Sequence, residues 1–112
     1  MMAAPKTKRR ATVLLVAATL MAPAFSASAS SPECDEIGNL GRFIMEKRQA
    51  DTLKDEVRNV IYTKSYREQA FGIVLLDEAY KVDVKTNYGA RKNAVDDFTL
   101  TAIQGCEAII TH

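Results

Sequence analysis

Ser31-Pro32-Glu33-Cys34-Asp35-Glu36-Ile37-Gly38-Asn39-Leu40-Gly41 opens a helix and carries the first of only two cysteines. Ser31 has the chemistry of an N-cap. Pro32 suits the first helical position, where its missing N–H would have no partner anyway. Glu33, Asp35 and Glu36 put negative charge at the positive end of the helix dipole, and Lys47 and Arg48 suit the opposite end. Cys34, Ile37, Gly38, Gly41, Ile44 and Met45 recur at helical spacing and predict one buried face.

The second cysteine, Cys106, falls in the last helical pattern, expected over Ala90 to Ile110. There Ala94, Val95, Phe98, Ala102, Gly105, Cys106 and Ile109 share a face. A Cys34–Cys106 bond would make the first and last helices antiparallel. Counting away from it sets Gly38 level with Ala102 and Gly41 level with Phe98. Small opposite large permits close packing, so Phe98 is expected over Gly41, and Gly41→Leu should cost stability. The alternatives for the cysteines are two free thiols or a thiol-disulfide enzyme. Redox enzymes usually keep their cysteines close, as in C-x-x-C, which favours a structural disulfide.

Between these two helices the pattern predicts two more. One starts at Asp51 or Thr52 and ends near Tyr62 to Lys64, with Leu53, Val57, Val60 and Ile61 as its apolar stripe. The other starts at Ser65, where Ser65-Tyr66-Arg67-Glu68 has capping-box form. Its body from Ala70 to Tyr80 is apolar nearly all round, which predicts a central, buried helix; a buried strand at Gly72–Leu76 is the alternative. Lys81 to Gly89 reads as a loop with turn chemistry at Asn87-Tyr88-Gly89. The fold expected is therefore all-α: a small bundle of four helices, within a range of three to five, stapled by one disulfide.

Upstream, Lys6, Lys8, Arg9 and Arg10 precede an apolar run from Ala11 to Phe25, and Ser26-Ala27-Ser28-Ala29-Ser30 follows. This order predicts a signal peptide over residues 1–29, cut between Ala29 and Ser30, with Ala27 and Ala29 as the small residues of the cleavage rule. The apolar run is shorter than the roughly 20 residues of a spanning helix. Glu33 before Cys34 argues against lipidation, and the residues after Arg9-Arg10 fit a twin-arginine signal poorly. The exported domain then covers residues 30–112 in the periplasm or outside the cell, with no stable membrane anchor after cleavage. An oxidising compartment favours the disulfide.

The whole chain carries 15 basic and 14 acidic side chains. Without the four leader cations, the exported part holds 11 basic and 14 acidic, a net charge of −3. That balance excludes an ordinary nucleic-acid binder and a cationic membrane-active peptide. A domain this small has a marginal core, so a staple matters to it.

Candidate chemistry is sparse. The only histidine is His112, so no placed histidine supports a Ser-His or Cys-His nucleophile. Ligand spacing for a metal is missing, and no cofactor motif occurs. The acid pairs Asp35-Glu36, Asp55-Glu56, Asp77-Glu78 and Asp96-Asp97 read as solvated helix surface rather than paired acid-base groups. Lys81, Lys85, Arg91 and Lys92 make one locally basic stretch around Tyr88, which suits an anionic partner or a plain loop. Phe43, Leu100, Ile103 and Ile110 lie out of phase with the core faces. They are either the margin of a wide apolar stripe or, with Tyr88, a contact surface for a partner or a second copy of the chain.

Several segments carry a resemblance: Cys34-Asp35-Glu36-Ile37, Ile44-Met45-Glu46-Lys47-Arg48-Gln49, Ala79-Tyr80, and Asp96-Asp97-Phe98 followed by Cys106. In their order and spacing they resemble a group of small exported one-disulfide helical proteins of proteobacteria and their phages. The resemblance implies no catalytic residue. This chain departs from it at Lys81-Val82-Asp83-Val84, where a proline would be expected. The function expected is a non-enzymatic interaction or inhibitor protein of the bacterial envelope, phage-related, acting on an envelope or secreted protein. The alternative is an acid- or stress-activated periplasmic chaperone.

Overall fold

The computed structural model describes residues 31–111. The expected leader with Ala27, Ala29 and Ser30, and the terminal His112, lie outside the described residues. Within them the chain is all-helical: α1 Pro32–Gln49, α2 Lys54–Ile61, α3 Tyr66–Ala79 and α4 Tyr88–Ile110. No helix among the described residues is long and apolar enough to cross a membrane.

Local chemistry sets the helix ends. Ser31 Oγ accepts from the Cys34 amide at 3.2 Å and caps α1. At its other end Asp51 takes the left-handed conformation (φ 61°). The Asp51 amide donates to Arg48 O and the Thr52 amide to Lys47 O, both at 2.9 Å. This pair of bonds is the Schellman ending, which turns the chain out of the helix. It is also why α2 starts at Lys54 rather than at Asp51 or Thr52. Ser65 and Glu68 form the full capping box of α3. Asn87 is a cap rather than a turn residue: its side chain accepts from the Ala90 amide at 2.8 Å, so α4 begins at Tyr88, two residues earlier than the pattern indicates.

Helices α1 and α4 form the main contact of the fold, α3 packs second on α1, and α2 covers part of α3. Cys34 and Cys106 are bonded, with Cα atoms 5.5 Å apart, and both are fully buried. They join Ile37 and Ala102 in one core cluster, against which Phe71 and Leu75 pack. The larger cluster joins Leu40, Ile44 and Met45 to Val57, Ile61, Leu76, Ala79, Val95 and Phe98.

The α1–α4 seam is tighter than a level register. A Cβ built on Gly41 would stand 2.8 Å from Ala102 Cβ and 3.7 Å from the Phe98 ring. One built on Gly38 would meet Ile103 Cγ1 at 2.5 Å and Thr99 Cγ2 at 3.8 Å. Each glycine thus lies between two α4 residues one turn apart. Phe98 does lie over Gly41, but Ala102 shares that place, and Gly38 is covered by Ile103 instead. The reason is interdigitation: ridges of one helix enter the grooves of the other rather than meeting them level. Gly105 and Ile109 leave the expected face; a Cβ on Gly105 would touch nothing within 4 Å, and Ile109 is exposed.

Two further expectations fail for one physical reason. Helix α3 is apolar all round yet not central: only Gly72, Leu76 and Ala79 are buried, and Val74 is 61% exposed. In α2, Val57 and Ile61 are buried while Val60, and Leu53 at the N-cap, are exposed. Their neighbours cover these two short helices on one side only, so part of the apolar surface of each faces water. The strand alternative does not form, since 72–76 lies inside α3.

Candidate functional site

The C-terminal half of α1 presents Arg42, Glu46 and Gln49 at i, i+4, i+7. The N-terminal half of α4 presents Tyr88, Lys92, Val95 and Asp96 at i, i+4, i+7, i+8, with Arg91 beside them. Antiparallel packing brings the two rows together as the walls of an open groove of about 430 Å³, which Ala50 also lines. Asp96 sits between the helices. Lys92 Nζ donates to one of its oxygens at 2.8 Å, and Arg42 reaches the other at 3.5 Å. The hydrogen bond from Lys92 holds the Asp96 carboxyl below the usual carboxylate range, and the same bond raises Lys92 above the usual lysine value. Tyr88 stands at the rim, 77% exposed.

A polar clamp holds the loop beside this groove. Gln49 is buried (6% exposed). Its Nε2 donates to Asp83 O at 2.9 Å, and its Oε1 accepts from the Lys85 amide at 2.7 Å. The side-chain amide thus pairs with the loop backbone as a neighbouring strand would. Arg48 Nε donates to Val82 O at 2.8 Å, and its guanidinium lies 5.0 Å from the Tyr80 ring centre. The Tyr80 hydroxyl donates to Thr52 O at 2.6 Å. Burial pushes the Tyr80 phenol above its ordinary pKa. From the loop, Lys85 O accepts from Arg91 Nε at 2.9 Å, which links the clamp to the groove.

The residues expected to meet a partner do not form one patch. Tyr88 enters the groove. Ile103 is half-buried across Gly38, so its side chain is committed to the seam. Phe43 is half-buried against the core at the edge of α1 that meets α3. The Lys47 ammonium lies 5.5 Å from its ring centre, and the ring lines a shallow hollow with Asn39, Lys64 and Glu68. Leu100 and Ile110 are exposed on α4. The basic stretch divides as well: Arg91 and Lys92 line the groove, whereas Lys81 pairs with Glu78 at 3.0 Å.

Among the acid pairs, Asp55 binds Arg58, Asp77 binds Lys54 at 2.9 Å, and both lie at the surface. No group of three or more metal-ligating side chains gathers among the described residues. Sequence reasoning missed Arg42, Arg48 and Gln49. The signal was available for Gln49. It follows Gly41 and Met45 at i+4 spacing, and a polar residue on a core stripe needs buried partners. Nothing in the order of residues pairs Arg42 with Asp96.

Fold and groove together define a small disulfide-bonded, all-helical domain with an open cationic groove beside its main seam. Compared with protein-family models, curated proteins and solved structures, the chain gives no match. The buried disulfide is compatible with an extracytoplasmic location.

Proposed function

We propose that the chain is an exported, non-enzymatic interaction or inhibitor protein of the bacterial envelope, of the phage-related kind its segments resemble, acting in the periplasm or after release from the cell. The observation that carries this reading is the α1–α4 pair. It is stapled at one end by a buried disulfide, clamped at the other by Gln49, and open along its outer side at the groove. A rigid surface of that kind avoids ordering costs when it binds. Tyr88 at its rim has the large amphipathic side chain that concentrates binding energy at interfaces.

The test uses the oxidised protein made from the full chain and immobilised against envelope extract. A captured protein is identified, purified and rebound. Saturable, stoichiometric rebinding supports the reading, and its failure across several growth conditions overturns it. The acid-activated chaperone fits the geometry less well. The ion pairs that acid would remove are exposed, and such pairs contribute little. The staple does not titrate. A protein that at pH 3 binds a hydrophobic dye and protects a client from aggregation would reverse this preference.

A further inference from the structure

Arg91 is the one cation of the groove whose charge no carboxylate meets among the described residues. Its Nε is committed to Lys85 O at 2.9 Å. That bond fixes the plane of the guanidinium and leaves its two terminal nitrogens as donors. Lys92 is engaged by Asp96, and Arg42 reaches the same carboxylate only at 3.5 Å, with its side chain 43% exposed. The groove holds Arg42, Arg91 and Lys92 against Glu46 and Asp96, a net charge of +1, in an exported part whose expected net charge is −3. Planar guanidinium forks match carboxylates through paired hydrogen bonds. Val95 and the ring of Tyr88 add apolar surface to the same groove.

We propose that this groove receives an acidic peptide segment of a partner protein, with Arg91 and Arg42 reading its carboxylates and Tyr88 covering the apolar side chain between them. The shape favours a chain over a free anion: the walls are two helices, and the groove is open rather than enclosed. Asp96, oriented by Lys92 on its own helix, faces Arg42 across the seam, and the Gln49 clamp holds the loop carbonyl that aims Arg91. The proposal rests on the reading of the chain as an interaction protein and adds the chemistry of its partner.

The experiment titrates ¹⁵N-labelled, oxidised protein with a short peptide alternating glutamate and phenylalanine. Its glutamine analogue and inorganic phosphate serve as comparisons. Shifts confined to Arg42, Gln49, Tyr88, Arg91, Lys92 and Val95 are expected with the acidic peptide and not with the analogue. Arg91→Gln should weaken binding about tenfold, as the loss of a charge-assisted pair does. Arg67→Gln, at an exposed cation on α3, should leave it unchanged. No shifts, shifts spread over the surface, or equal weakening by Arg67→Gln would overturn the proposal. So would phosphate moving the same residues at the same concentration. A purified envelope partner that binds Arg91→Gln as tightly as the native protein would exclude this groove while leaving the interaction reading intact.

Discussion

Gly41→Ala and Gly105→Ala make the same chemical change on the two helices of the seam, and they should move stability in opposite directions. At Gly41 the new Cβ would stand 2.8 Å from Ala102 Cβ. Ordinary carbon contacts lie at about 3.5–4.0 Å, so the helices must part by roughly 1 Å there. Neither atom belongs to a side chain that can rotate away. The Cys34–Cys106 bond, about 10 Å along α1 at a rise of about 1.5 Å per residue, does not let that end follow. The seam must therefore pivot, and Phe98 and Met45 lose contact. Overpacking costs about 1–3 kcal/mol, against which alanine's helix preference over glycine returns about 1 kcal/mol. The expected net change is a loss of about 1 kcal/mol, or roughly 5 °C in Tm for a domain of this size. At Gly105 a Cβ meets nothing within 4 Å, so only the propensity gain of about 1 kcal/mol remains. Urea unfolding of the oxidised proteins, followed by circular dichroism at 222 nm, measures both. Two shifts of the same sign, or a Gly41→Ala protein as stable as the native one, would refute the close seam.

Replacing both cysteines, Cys34→Ala with Cys106→Ala, releases a closed loop whose ends are 72 positions apart. The chain-entropy model sets that loss at about 4 kcal/mol, read as a lower urea midpoint; an unchanged midpoint would mean that the bridge does not hold the fold. Gln49→Leu leaves Asp83 O and the Lys85 amide without their partner, at about 1–3 kcal/mol. Amide exchange over 82–87 should quicken while the Cys34–Cys106 end keeps its protection, and unchanged exchange would contradict the clamp. Asp77 and Asp96 have carboxyls lowered from 3.8 by their bonds to Lys54 and Lys92. A lowered carboxyl contributes stability that is present above the unfolded value and is lost as pH falls through the folded one. The contribution is therefore full above about pH 4 and fades below it, and it is small and salt-sensitive because both groups are exposed. Asp77→Asn with Asp96→Asn should lower Tm slightly at pH 7 in low salt, by a difference that shrinks as the pH falls below about 4. Tyr80 has the opposite sign. Its raised phenol favours the fold below the ordinary value of 10.0 and ceases to as pH rises through the folded one. Absorbance at 295 nm should therefore show one tyrosine ionising late until the protein unfolds; its absence would remove the buried phenol.

What was legible in the residues was local. The caps at Ser31 and Ser65, the apolar stripe of α1 and the pairing of the only two cysteines each follow from chemistry within a few residues or from elimination, and together they imply an all-helical, antiparallel α1–α4 pair. Asn87 was misread because Asn-Tyr-Gly suits a turn and a cap equally, and only the bond from the Ala90 amide separates the two. The exposure of Val74 and Leu53 depended on how much of α3 and α2 their neighbours cover, which periodicity does not encode. The site was less legible than the fold. Tyr88 carried a signal, but the groove exists because Arg42 and Asp96, 54 positions apart, meet across the seam. By itself the sequence determined which segments are helices and which bond closes them, because caps, periodicity and cysteine count act at short range or by simple arithmetic. Only the tertiary structure decided the interdigitated register, the buried role of Gln49 and the exposed charge of Arg91. Those depend on where two helices stand relative to each other, and packing sets that.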